Sequence, residues 1–144
     1  MNAAQFGNAA WGFRERSLEQ QLALTREMGL TRIELSLASV PGDFIQLDAG
    51  EARLAEAKAL FARHGLAVSE ASVGGGVGEL DEAKRREQVD GLKKKIDLAA
   101  ALGAKAMRIF SSFSSPKEFD AKRLAALVAG LNAVASHAAP LGIT

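Results

Sequence analysis

The nine residues EMGLTRIEL (27–35) decide how this chain is read. A helical pattern stops at Gly29, and an apolar, strand-like run starts within two residues. The same event recurs in RHGLAVSEA (63–71), ALGAKAMRIF (101–110) and APLGIT (139–144). The four glycines, Gly29, Gly65, Gly103 and Gly142, are 36, 38 and 39 residues apart. A glycine just past a helix supplies the left-handed conformation that closes off the last carbonyls. A period near 37 is about the length of one strand-plus-helix unit.

The helices between these stops carry start signals. Ser17 with Gln20 has the capping-box spacing, and Leu18, Leu22 and Met28 form an apolar stripe behind it. Asp48 and Glu51 stand in the same relation, followed by Leu54, Ala57 and Phe61 on one face. A third helix is expected from about Asp81, with Val89, Leu92, Ile96 and Ala99 on one side. The fourth reads as Ser115 cap, Pro116 in the first turn and Glu118 as box partner. Leu124, Leu127, Val128, Leu131 and Val134 then form its amphipathic pattern.

Strands are expected at 4–11, 31–37, 66–73 and 105–111, each followed by its helix. Strand then helix, four times over, demands crossovers and so a parallel sheet. Helix-to-strand connections are one to three residues long, whereas the strand-to-helix loops at 38–48, 74–80 and 112–115 are longer. That asymmetry puts the working end at the carboxyl ends of the strands. Four such units make a (β/α)4 half of an eight-unit TIM barrel, an α/β fold. Ile143 and Thr144 would open a fifth strand, so residues 1–144 read as a single partial domain. The competitor is an open doubly wound sheet, with strand order 2-1-3-4 and helices on both faces.

The choice between them rests on polar strand positions. Central strands covered by helices on both faces read as continuous apolar runs. Here Arg32, Glu34 and Ser36 alternate with Ile33, Leu35 and Leu37, while Ala106, Arg108 and Phe110 oppose Met107 and Ile109. Alternate barrel strands share interior layers, so Glu34 and Arg108 are expected to share a layer and pair across a lumen. Such a pair either fills the barrel floor or meets substrate near the mouth. Trp11 closes the first strand, with Arg14 and Arg16 beyond it and Asn8 placed to face inward. The tryptophan is a ligand wall or a plug over the core.

GGGVG (74–78) lacks the lysine and hydroxyl of a phosphate loop and is followed by Glu79, Asp81 and Glu82, so a mobile lid or a plain loop is expected. SSFSSP (111–116) offers four hydroxyls at a helix start, as caps or as an anion seat. His64 and His137 lie towards helix ends, away from the strand mouths.

Composition narrows the classes. The chain has 144 residues, 48% of them hydrophobic and 24% charged, as in a globular domain. A net charge of +1 gives no electrostatic footprint for nucleic acid or an anionic membrane. Lys93, Lys94 and Lys95 fall within a helical pattern and read as a solvated face. The absence of cysteine excludes disulfides, zinc–thiolate sites and thiol nucleophiles. The first residues lack the pattern of a secretory signal. No apolar run is read as long enough for the ~20 residues of a membrane span. A soluble, cytoplasmic protein with no membrane and no nucleic-acid partner is the expectation.

With the strands placed, the chain resembles the N-terminal half of the xylose isomerase-like TIM-barrel family, which includes sugar phosphate isomerases and epimerases. The stretches that carry the resemblance are AAWGFRERSLEQQLALTREMGLTRIELS, RLAEAKALFARHGLAVSEAS, LKKKIDLAAALGAKAMRIFSS and HAAPLGIT. The resemblance implies an isomerase or epimerase of small sugars or keto-acids. It also implies a divalent metal (Mn, Mg, Co or Zn) held by carboxylates and a histidine, with proton transfer beside a carbonyl. Those ligands lie on strands five to eight in many members, so this half is expected to bind no metal and to be inactive alone. Trp11, Glu34 and Arg108 match pocket-lining places and are assigned substrate positioning. The members acting on abasic DNA carry histidines at the ends of strands three and four, where this chain reads SEASVGG and RIFSSF. An endonuclease is therefore the weakest alternative. A non-catalytic half-barrel that self-associates, or that joins a missing C-terminal half, is the stronger one.

Overall fold

The computed structural model describes residues 6–37, 45, 50–110 and 120–144. In chain order these form β1 (Asn8–Ala9), a 3-10 turn (Ala10–Phe13), α1 (Leu18–Glu27), β2 (Arg32–Ser36), α2 (Glu51–His64), β3 (Ala67–Ser72), α3 (Glu82–Ala101), β4 (Ala106–Arg108), α4 (Ala121–Ala138) and a second 3-10 turn (Ala139–Leu141). The sheet runs β1-β2-β3-β4, and every neighbouring pair is parallel. Unbroken sequential order disposes of the doubly wound competitor. With right-handed crossovers it places all the helices on one face of the sheet. The other face becomes the inner wall of half a barrel.

The repeated glycine stop is one physical device used four times. Gly29, Gly65, Gly103 and Gly142 all have positive φ, between 61° and 91°. At each, the glycine N–H donates to the carbonyl three residues back: Arg26, Ala62, Ala100 and Ala139. The next residue donates five back: Leu30 to Thr25, Leu66 to Phe61, Ala104 to Ala99 and Ile143 to Ala138. This 6→1 and 5→2 pairing satisfies the orphan carbonyls and turns the chain directly into the next strand. After the last stop, Thr144 N–H donates to Lys105 O (3.1 Å) and Met107 N–H to Thr144 O (2.8 Å). These are the bonds of a parallel ladder beside Ala106, so Thr144 is already seated along the free edge of β4.

Helix starts follow the sequence in part. Ser17 and Gln20 form the expected reciprocal capping box. Asp81 caps α3 by accepting from Lys84 N–H at 3.0 Å, and that hydrogen bond holds its carboxyl below the usual carboxylate range. α2 instead begins after Gly50, with no side-chain cap, and Asp48 lies outside the described residues. α4 begins after Asp120, which accepts from Arg123 N–H at 2.7 Å. The expected start at Ser115, Pro116 and Glu118 lies outside the described residues.

The core lies between the helices and the outward face of the sheet. Leu22 and Ile33 are fully buried, and Ile96 nearly so. Burial of each such side chain contributes about 1.5–3 kcal/mol. α1 departs from its apolar stripe: Met28 is exposed, while Gln21 and Thr25 are fully buried. The reason is a polar tie to β1. Asn8 Nδ2 donates to Thr25 Oγ1 (2.8 Å), Thr25 Oγ1 donates to Gln21 O (2.7 Å), and Gln21 Nε2 donates to Arg16 O (2.8 Å). Asn8 therefore faces α1, not the lumen.

Two further expectations change. The 74–78 loop carries a deep anchor, since Val77 is fully buried and sits against α4. A Cβ on Gly130 would lie 2.3 Å from Val77 O, so the glycine is what lets the loop backbone seat on the helix. Lys95 Nζ donates to Gly74 O (3.2 Å) at the other end of the loop. The plain-loop reading fits this anchoring; the mobile lid does not. Secondly, residues 121–141, with mean hydropathy 1.5, are long and apolar enough to cross a membrane by length and composition, against the reading that no such run exists. The cause is a helix with two apolar faces. Gly130, Val134 and Ala138 are buried, whereas Leu124, Val128 and Leu131 are exposed. Only 22% of that window is buried.

Candidate functional site

At the carboxyl end of the strands a cleft of about 330 Å³ is lined by Trp11, Ser36, Ser72, Val73, Gly74, Arg108 and Phe110. Register builds it. Ser36 pairs with Ser72, and Ser72 with Arg108, so three polar side chains stand in one row across β2, β3 and β4. The row beneath is Ala9, Glu34, Glu70 and Ala106. The slip between Ile33 and Glu34 on β2 brings these two rows into line. Ser69, the extra residue on β3, donates from Oγ to Ile33 O at 3.2 Å and secures the irregularity.

Glu34 and Arg108 do pair, with Oε1 3.6 Å from Nη2. In register Glu34 is level with Glu70 and Ala106, so the two side chains meet on the diagonal across β3. Arg108 stands one row nearer the mouth and reaches down across β3. Glu34 is largely buried, at 16% side-chain exposure, while Arg108 is 52% exposed. Arg108 thus lines the cleft, with Glu34 in the row beneath. The guanidinium also lies over the Phe110 ring, 4.7 Å from its centroid.

Trp11 sits in the 3-10 turn just beyond β1 and not within a longer strand. It is half-exposed and borders the cleft, so it is a wall and not a plug. Arg14 stacks on it at 4.8 Å and donates from Nη1 to Trp11 O at 3.2 Å. Trp11 and Arg108 therefore line the cleft, and Glu34 supports it from below. His64 and His137 stay away from it, as expected; His137 Nε2 lies 2.7 Å from Asp97 Oδ1 between α4 and α3. The serines of 111–116 lie outside the described residues.

Ser36, Ser72 and Phe110 were not singled out from the sequence. Ser36 carried a signal, its alternation with Glu34, but matching it to Ser72 required the register slip at Glu34, which no sequence pattern announces. Both serines are almost completely buried, at 2% and 4% exposure.

Among the described residues no group of three or more His, Cys, Asp or Glu side chains converges to hold a metal ion. Glu34 and Glu70 are two carboxylates with an arginine beside them, a set that does not fit a divalent cation on its own.

The described residues thus form four parallel βα units with an open inner wall and a cleft at the strand mouths. The family model for the xylose isomerase-like TIM barrel matches residues 22–144, and the chain belongs to that family. Among solved structures it is similar to a D-psicose 3-epimerase described in the presence of D-fructose (19% identity, TM-score 0.76), covering 96% of this chain and 50% of that one. An L-ribulose 3-epimerase (24%, TM-score 0.73) is covered over 47% of its length. A xylose isomerase-like TIM barrel protein from Mycobacterium smegmatis in complex with magnesium (18%, TM-score 0.70) is covered over 53%. The chain spans about half the length of these structures. No curated protein matches the sequence.

Proposed function

We propose that residues 1–144 form the substrate-positioning half of a sugar or keto-acid isomerase or epimerase, a single partial domain of a larger barrel. The observation that carries this is the Trp11–Arg108 cleft over Glu34, at the strand mouths where the fold concentrates chemistry. In this reading Trp11 and Phe110 offer apolar ring faces to the carbon skeleton, and Arg108 and Glu34 orient oxygens of the substrate. A divalent metal supplies carbonyl polarisation in the complete barrel. Its ligands come from outside these residues, so this half is silent in catalysis. Similarity to epimerase structures supports the class of reaction, and the polar, uncovered inner wall supports a small hydrophilic substrate.

Trp11 is the only tryptophan, so its fluorescence reports the mouth alone. Titration with free ketoses and keto-acids is expected to give a saturable change that Arg108→Ala weakens. Turnover is expected to be absent with added manganese or magnesium, followed as exchange of the substrate's carbon-bound proton in heavy water. No saturable change with any of these compounds would end the positioning reading, and turnover would end the claim of silence.

A second reading has its own support. Leu124, Val128 and Leu131 form an exposed apolar stripe on α4, and beyond Thr144 the outer edge of β4 is unpaired among the described residues. A self-associating half-barrel would cover both, and light scattering across a concentration series separates this from a monomer.

A further inference from the structure

The two ends of the sheet are complementary to each other. On the β4 side, between the sheet and α4, an apolar cavity of about 350 Å³ is lined by Ile96, Met107, Ile109, Leu131, Val134 and Ile143, and no charged side chain borders it. Thr144 also borders it and takes one ladder position on the β4 edge. Beyond Thr144 that edge is open among the described residues. On the β1 side there is a knob. Asn8 faces α1 through its bond to Thr25, whereas a Cβ on Gly7 would point at Arg32 Cβ and Ser69 Oγ, 3.4 Å from each. Side chains alternate along extended chain, so Phe6 returns to the helix side, where it is 48% exposed. Met28, equally exposed, follows Thr25 towards the same end of the layer, because a crossover helix runs back against its strand.

Knob and hole cannot meet within one copy, since β1 and β4 are the opposite edges of a four-stranded sheet. A two-fold axis brings both pairs together at once, as it does for any self-complementary contact. Room is sufficient: a cavity of roughly 150 Å³ already holds benzene, so the hole by β4 admits a phenyl ring. Area is sufficient too. Phe6, Met28, Leu124, Val128 and Leu131 are 38–48% exposed and together offer on the order of 400 Å² of apolar surface per copy. Doubled, and with the polar share usual at interfaces, this is about 1,500 Å², within the ~1,200–2,000 Å² of a stable dimer.

We infer that two copies of this chain close an eight-stranded barrel, β1 of each lying along β4 of the other, with Phe6 of the second copy seated in the cavity between Ile109 and Leu131. This rests on the self-association reading above and deepens it by naming the occupant of the open edge and the side chain that anchors it. Closure leaves no strand edge unpaired, and each copy completes the inner wall of the other.

Light scattering of the 144-residue chain across a concentration series is expected to reach the mass of two copies. Phe6→Asp should weaken association by about 100-fold, whereas Phe6→Leu should stay within about tenfold of the parent. Circular dichroism is expected to show the same helix content in both variants, because Phe6 lies outside the helices and is half-exposed. The chain has no cysteine, so single thiols can be placed at will. A short thiol cross-linker should join Phe6→Cys chains to Ile109→Cys chains when the two are mixed. Neither should be joined to its own kind, because like residues stand across the barrel from each other. A monomer at every concentration would remove the self-association reading and this inference with it. A dimer that Phe6→Asp leaves intact, or Phe6→Cys chains joined to one another, would overturn the Phe6 contact and keep self-association.

Discussion

Gly130 shows how much a single position can carry. Its missing side chain admits the Val77 carbonyl and Cβ to within 2.3 and 2.7 Å of where a methyl would stand. Gly130→Ala is expected to destabilise the fold by about 1–3 kcal/mol, despite the better helix propensity of alanine. Chemical denaturation measures this. Adding Val77→Ala should not restore stability, because the nearest obstruction is backbone. Asp81 makes a second prediction. Its carboxyl is lowered by accepting the Lys84 N–H, so its contribution is present above the ordinary carboxylate range and is lost as pH falls through the lowered value. The melting point of the parent should exceed that of Asp81→Ala at neutral pH, and the gap should close in strong acid. The capping box at Ser17 and Gln20 and the cap at Asp81 were both readable from the sequence, because a cap depends on residues three apart. The pocketing of Gly130 was not, since Val77 is 53 residues away.

At the scale of elements, α4 is the instructive case. Its pattern of Leu124, Leu127, Val128, Leu131 and Val134 reads as one apolar stripe, yet the structure divides it between an inward and an exposed face. Periodicity identifies which residues avoid water and is silent on how many surfaces cover them. The double-faced character also brings the helix to the hydropathy of a membrane span. α1 errs the other way, hiding Gln21 and Thr25 behind Asn8 where the pattern expects hydrocarbon. Val128→Lys together with Leu131→Lys should leave helix content and melting temperature close to the parent values, because both side chains are exposed. If the stripe is an interface between copies, the same pair should lower the association seen by light scattering. A large loss of stability would show that these residues pack within the chain. The strands fared better: four in parallel, in chain order, with the lumen side correctly placed at Glu34, Ser36 and Arg108.

For the whole molecule, order and direction of the strands followed from punctuation. Short helix-to-strand turns and longer return loops pointed to the mouth, and the cleft lies there. What the sequence left open was register, and with it the partnership of Ser36 and Ser72 and the diagonal reach of Arg108 to Glu34. Those depend on the irregularity at Glu34 and on side chains up to two strands apart. The helix terminators have a corollary for how such a chain tolerates change. Helical faces can drift, because many apolar residues fill a face, whereas Gly29, Gly65, Gly103 and Gly142 each hold a conformation that other residues resist. A saturation library selected for stable protein should therefore show, among its intolerant positions, a comb of four teeth set about one module apart.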